Sequence, residues 1–263
     1  MIAPPKNPDS FQEWNRTHGA PHGHRVRFGR LRSRLPAAWL LRATGPFFIQ
    51  KNNTTRTFEY PWAFAAAQLQ PGMKVLEIGG SLAGFQFTLA RHGCRVVNVD
   101  PGMEAAGIGW PCDQNSIARL NKTFGTDIEL RNTTIERAEL RAGEFDRAFS
   151  ISVIEHLPPA DAANVMAHAF RCLKPGGLFI ITLDLFLNLH PFTTRRSNEY
   201  GVNQSAAELI SSQPWRLVVG QRDELFGFPE FDADKILSRL ENYLVGSYPA
   251  LAQCLVLQKP EAA

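Results

Sequence analysis

From residue 62 onward short apolar strands alternate with helices over about 190 residues, a pattern met by an α/β domain with a mostly parallel sheet covered on both faces. The strands read as residues 74–78, 95–99, 128–131, 145–153 and 178–183, with two late ones at 215–219 and 251–258. Helices are expected at 62–70, where Pro71-Gly72 ends an alanine-rich stretch, and at 82–92 and 113–124. Ala162, Val165, Met166, Ala169, Phe170 and Leu173 form one apolar stripe of helical period, stopped by Lys174-Pro175-Gly176-Gly177. Ser205-x-x-Glu208 is a capping-box pattern, and Ile236, Leu240 and Leu244 mark one side of a last helix.

Charge divides the chain differently. Residues 1–58 carry ten Lys/Arg against Asp9 and Glu13, whereas residues 59–263 carry a net charge of −5. Arg25, Arg27, Arg30, Arg32 and Arg34 stand beside His18, His22 and His24 in a stretch free of acids. We therefore read 1–58 as a basic, irregular extension with a short helix near 33–42, and 59–263 as the main domain. Such an extension either attracts phosphates or nucleic acid, or packs as a solvated arm on the acidic body. It supplies no carboxylates to help neutralise a cation, so no metal is expected on its histidines. No run of about 18 apolar residues is present to cross a membrane, and the N-terminus lacks the order of a signal peptide. Cys94, Cys112, Cys172 and Cys254 form no C-x-x-C pair, which fits a reducing cytoplasm.

The residues with the sharpest chemical meaning run from Val75 to Gly84, as Val-Leu-Glu-Ile-Gly-Gly-Ser-Leu-Ala-Gly. A strand enters a glycine-rich turn that opens a helix, with Gly79-x-Ser81-x-x-Gly84 an imperfect form of the dinucleotide fingerprint. Asp100 ends the next strand, where a carboxylate can accept hydrogen bonds from both hydroxyls of an adenosine ribose. Glu77, two residues before Gly79, would repel a pyrophosphate and suits a cationic ligand. A nicotinamide dinucleotide is accordingly disfavoured.

At these residues the sequence resembles the class I S-adenosylmethionine (SAM)-dependent methyltransferases, over roughly residues 60–183. The matching pieces are the 77–84 turn, Asp100, Glu144-Phe145-Asp146 leading into a strand, Val153-Ile154-Glu155-His156-Leu157, and the 174–177 turn. The resemblance implies a Rossmann-like, doubly wound sheet of seven strands whose last runs antiparallel, with SAM above the carboxyl ends of the first and fourth. It implies that Gly79, Gly80 and Gly84, with Ser81 in the same turn, let the methionine part approach the backbone. Glu77 would assist near the amino group and Asp100 would hold the ribose. Thr134 and Ile135 would frame adenine, although the acid usual in the family is missing at Thr134. Ser152 would face the sulfonium. Arg56 and Tyr60, just before the core, would fold over the cofactor, Arg56 either pairing with its carboxylate or lying as a plain surface arginine.

For the acceptor side the sequence offers His156 as a general base or a loop cap, with Glu155 a structural hydrogen-bond partner. Residues 184–204 read as an acceptor-side insertion, with Asp184, Asn188, His190 and Tyr200 the residues placed to meet substrate. The basic head is expected to roof the pocket as a lid, using Phe28, Trp39, Phe47 and Phe48. The function implied is methyl transfer to oxygen or nitrogen of a small molecule. Two alternatives stay open. One is a SAM-consuming enzyme that cyclises or cleaves the aminobutyryl chain. The other is an RNA-binding methyltransferase or non-catalytic RNA-binding protein led by the basic head, although no RNA-module signature is present.

Overall fold

The computed structural model describes residues 1–19, 37–47, 53–105 and 107–261. Seven strands form one sheet: β1 (Lys74–Ile78), β2 (Arg95–Val99), β3 (Glu129–Arg131), β4 (Phe145–Ile151), β5 (Leu173–Phe186), β6 (Arg216–Val219) and β7 (Ala250–Gln258). Their order is β3-β2-β1-β4-β5-β7-β6. Pairs from β3 to β5 are parallel, and β7 runs antiparallel to both β5 and β6. This is the doubly wound sheet with an antiparallel last strand that the sequence implies.

Period-two alternation builds the core on both faces. Val75, Val96, Phe149 and Ile180 belong to one buried cluster, while their neighbours Leu76, Val97, Ala148 and Ile181 belong to the other. The described helices are α1 (Asp9–His18), α2 (Ala37–Thr44), α3 (Arg56–Ala66), α4 (Gly84–Arg91), α5 (Gln114–Phe124), α6 (Pro159–Cys172), α7 (Ala206–Ser211) and α8 (Ala233–Leu237). Phe58 and Trp62 of α3 and Phe85 and Phe87 of α4 cover the first face. Val165, Met166 and Ala169 of α6 cover the second, on the stripe read from the sequence. Ser205 Oγ accepts from the Glu208 N–H at the start of α7, as its pattern implies. No described helix is long and apolar enough to cross a membrane.

The N-terminal residues are built into this body. Ile2 forms a bridge with Gln253, Ala3 N donates to the Ala252 carbonyl at 2.9 Å, and Leu244 N donates to the Ala3 carbonyl at 2.8 Å. The last two contacts matter for the late helix expected over Ile236–Leu244. Instead α8 stops at Leu237 and a 3-10 turn covers Leu240–Asn242, because Leu244 pairs with Ala3 and Val245 bridges Leu251. The arginine cluster 25–34, His22, His24, Phe28 and Phe48 lie outside the described residues.

Helix α3 also departs from expectation, starting at Arg56 instead of Trp62 and running through Pro61. A proline there has no N–H for the carbonyl four residues back, which is that of Thr57. Two side chains replace the missing donor: Asn7 Nδ2 donates to the Thr57 carbonyl at 3.1 Å and Asn15 Nδ2 at 2.7 Å. Asn15 is fully buried on α1, a helix the sequence reading does not contain. Its docking is thus coupled to the proline. Asn15→Ala should cost about 1–3 kcal/mol by leaving a buried carbonyl underbonded. Chemical denaturation would measure it, and a loss under about 0.5 kcal/mol would show that Asn7 suffices.

Candidate active site

The turn after β1 makes a cradle at the carboxyl end of the sheet. Gly79 has φ +71° and Ser81 φ +46°, so the backbone bends through the left-handed region twice in three residues. A Cβ on Gly79 would fall 2.5 Å from a Val153 methyl, and one on Gly80 would fall 2.8 Å from the Glu77 carboxyl carbon. Buried amides fix this shape. Asn98 Oδ1 accepts from Gly80 N at 3.2 Å, and Asn98 Nδ2 and Gln86 Nε2 both donate to the Ser81 carbonyl. Asp100 holds the other side, its carboxylate accepting from Ser81 N at 2.7 Å and Gly102 N at 2.6 Å. Burial raises the Asp100 pKa, and those two backbone donors work against the shift. Beneath the turn, Glu77 Oε2 is buried with no hydrogen-bond partner. Burial, reinforced by Asp100, pushes its pKa up to about 8.

Beside the cradle opens a cavity of about 440 Å³. Arg56, Tyr60, Gly79, Gly80, Ser81, Asp100, Ser152, His156 and Tyr200 all line it, so nine residues named from the sequence are brought together. Its wall rests on buried charge. Arg56 pairs with Glu59 on the same face of α3 and lies 3.6 Å from Asp184 Oδ1. Thr182 Oγ1 donates to Glu59, and Tyr248 Oη donates to Asp184 Oδ2 at 2.7 Å. Arg56 is therefore a buried, paired cation, and not a surface arginine.

Ser152, at φ +52° just past β4, places its hydroxyl between Glu155 Oε1 and Asp184 Oδ2. One hydroxyl proton cannot serve two acceptors, so a proton kept on Glu155 completes the chain from Glu155 through Ser152 to Asp184. The electrostatics agree: burial and the neighbouring Asp184 push Glu155 up to about 8. Arg56 faces the Glu59 and Asp184 carboxyls, and burial raises the Glu59 pKa against the pull of that arginine.

On the acceptor side His156 is buried and its Nδ1 meets the Tyr200 carbonyl oxygen. A carbonyl only accepts, so Nδ1 carries the proton, and the neutral ring keeps its lone pair on Nε2. Burial lowers the His156 pKa, which favours that neutral form. The Trp110 ring lies 5.0 Å from the imidazole.

Other residues named from the sequence lie apart from the cavity wall. Glu77 sits under the cradle and Asp184 behind Ser152. A Cβ at Gly84 would meet the Phe47 backbone nitrogen at 2.8 Å, so its small size admits the chain at Pro46–Phe47. Thr134 and Ile135 begin a 3-10 turn, with Ile135 in the core. His190 is exposed and its ring contacts Phe226, while Asn188 bonds Asn198 within the loop. Phe47, expected in a lid, is instead fully buried among Trp14 and Tyr60. Trp39 is exposed and absent from the cavity wall.

Residues 76–181 match a family model described as a methyltransferase domain. Over those residues the chain is similar to a methyltransferase domain. It is 35% identical over 117 residues to the ubiquinone biosynthesis O-methyltransferase of Hahella chejuensis, covering 43% of this chain and 44% of that protein. The same-named protein of Pseudomonas aeruginosa is 31% identical over 116 residues, with similar coverage. The chain thus spans less than half the length of the curated relatives it matches. Among solved structures, the N-methyltransferase NodS from Bradyrhizobium japonicum, in complex with S-adenosylhomocysteine (SAH), superposes with a TM-score of 0.52 at 15% identity, over 86% of this chain and 97% of its own. The [4+2]-cyclase SpnF superposes with a TM-score of 0.57 at 11% identity over the whole of both chains. These likenesses show the fold.

The cofactor of such a methyltransferase domain is SAM, and the residues present fit it. SAM offers ribose hydroxyls and an ammonium as donors, and the cradle offers the Asp100 carboxylate and, beneath it, the unpartnered Glu77 oxygen. Among the cavity residues that sequence reasoning did not single out are Asn53, Trp110 and Tyr248. Tyr248 was recoverable in principle. Because β7 is antiparallel, the loop before it lies beside the carboxyl end of β5, where Phe186 pairs with Ala250.

Proposed function

We propose that this chain transfers the SAM methyl group to a hydroxyl of a small molecule, with His156 as the base. The observation that carries the reading is one cavity that joins the Gly79–Ser81 cradle and Asp100 to a neutral histidine with its Nε2 lone pair free for a proton. Bound SAM supplies an electrophilic methyl on a sulfonium. The protein's part is to align the acceptor with that methyl and to take the hydroxyl proton. In this reading Asp100 accepts from the ribose hydroxyls and Glu77 from the ammonium, while Gly79 and Gly80 admit the methionine part. Arg56 is engaged by Glu59 and lines the cavity, so in this reading its service to the cofactor is to hold the cavity wall in place. His156 keeps its ring fixed through Tyr200, and the side chains of Trp110, Tyr200 and Tyr248 exclude water from the acceptor. The ubiquinone biosynthesis O-methyltransferase relatives support an oxygen acceptor.

Cofactor binding is tested by calorimetric titration of SAM into the wild-type protein and Asp100→Ala. Loss of charge-assisted ribose contacts worth about 1.5–3 kcal/mol should weaken binding roughly tenfold to more than a hundredfold. An unchanged Kd in a folded variant would remove Asp100 from the site.

A further inference from the structure

The cavity has a second wall that methyl transfer alone does not require. Tyr200 and Tyr248 stack with ring centroids 4.6 Å apart and planes at 15°. Phe186 extends the group, 6.3 Å from Tyr200 at 21°. The pair is held rigidly: Tyr248 Oη is bonded to buried Asp184, and the backbone of Tyr200 is tied to His156 through its carbonyl and to Asn198 through its N–H. Both tyrosines line the cavity, as does Trp110, whose ring packs against the His156 imidazole. The two tyrosines come from segments beyond the residues matched by the methyltransferase model, which end at 181.

We infer that the Tyr200–Tyr248 pair is a specificity wall that selects a planar aromatic acceptor over a saturated one of the same size. This rests on the proposed methyl transfer at the same cavity. The physical basis is the quadrupole of the rings. Offset or edge-to-face contact with another π system adds attraction beyond buried area, which a saturated ring of equal bulk does not gain. A merely greasy pocket gives the opposite preference, because the saturated compound is the more hydrophobic.

The test uses the full chain saturated with SAH and two probes of one skeleton, 2-naphthol and decahydro-2-naphthol. Binding of each is measured by calorimetry. The wild-type protein should bind 2-naphthol roughly three- to tenfold more tightly than its saturated counterpart. Tyr248→Leu and Tyr200→Leu should each bring that ratio towards one or below it, whereas Tyr248→Phe, which keeps the ring and loses the Asp184 bond, should retain it. SAH affinity, measured first, should be unchanged in all three variants. A purely structural role would lower SAH binding and both probe affinities together, leaving the ratio intact. Equal affinities, tighter binding of the saturated probe, absence of 2-naphthol binding, or a ratio unmoved in both leucine variants overturns the wall. Failure of the wild-type protein to bind SAH would instead overturn the methyltransferase reading on which the wall depends.

Discussion

Replacing Arg56 by Met is expected to cost about 3–5 kcal/mol of folding stability, the range for removing one partner from a buried ion cluster. The guanidinium is buried against Glu59 and lies 3.6 Å from Asp184, both fully enclosed carboxyls, with Glu155 bonded to the same group. Methionine keeps most of the volume but leaves those carboxylates uncompensated. They then take up protons, so the deficit should be smaller at pH 5 than at pH 8. The sign follows from linkage. A carboxyl whose folded pKa is raised binds protons in the folded state that the unfolded chain has already lost, and its stability falls as pH rises through the folded value. Urea denaturation of both proteins at the two pH values measures this. A loss under about 1 kcal/mol at pH 8 would mean that the carboxyls are neutral in the wild-type protein as well.

Turnover should fall about 10²–10⁴-fold in His156→Ala at saturating SAM, with the SAM Kd little changed, if the imidazole takes the acceptor proton. Alanine also removes the tether to the Tyr200 carbonyl, so a second variant separates the two roles. His156→Asn keeps an N–H donor near the position of Nδ1 and has no basic nitrogen. A base requires that both variants be slow; near-normal turnover in His156→Asn assigns the residue to holding the Tyr200 loop. In the wild-type protein activity should decline at acid pH only below the ordinary imidazole range, since burial lowers the pKa and the active form is neutral. That acid limb should vanish from the residual activity of His156→Asn.

How much of this was legible depends on the range of the interaction. Strands β1 and β2 lie where the apolar runs place them, because a short apolar run is a property of consecutive residues. The boundaries of α5 and α7 were marked by local chemistry, with Asp113 and Ser205 accepting from N–H groups three residues on. Helix α3 starts before the alanine-rich stretch that marks it in the sequence and runs through Pro61, which local pattern disfavours inside a helix. The compensating donors, Asn7 and Asn15, come from over forty residues away in sequence. For the same reason Leu244 reads as helical on its period and instead pairs with Ala3.

The candidate site divides along the same line. The sequence by itself determined the β-turn-α cradle, the acid after β2 and a histidine following β4, since each is a short motif with its chemistry in neighbouring residues. Only the tertiary structure decided that Arg56 is buried against Glu59 and Asp184, that Ser152 bridges two carboxyls, and that Phe47 belongs to the core. It also brought Tyr248 onto the aromatic face of Tyr200. The contacts of Arg56 and Ser152 with Asp184, and of Tyr200 with Tyr248, join residues that are far apart in the chain, and it is burial that raises the pKa of Glu77 and Glu155 and lowers that of His156. Burial depends on what every other segment packs against, so no local pattern encodes it.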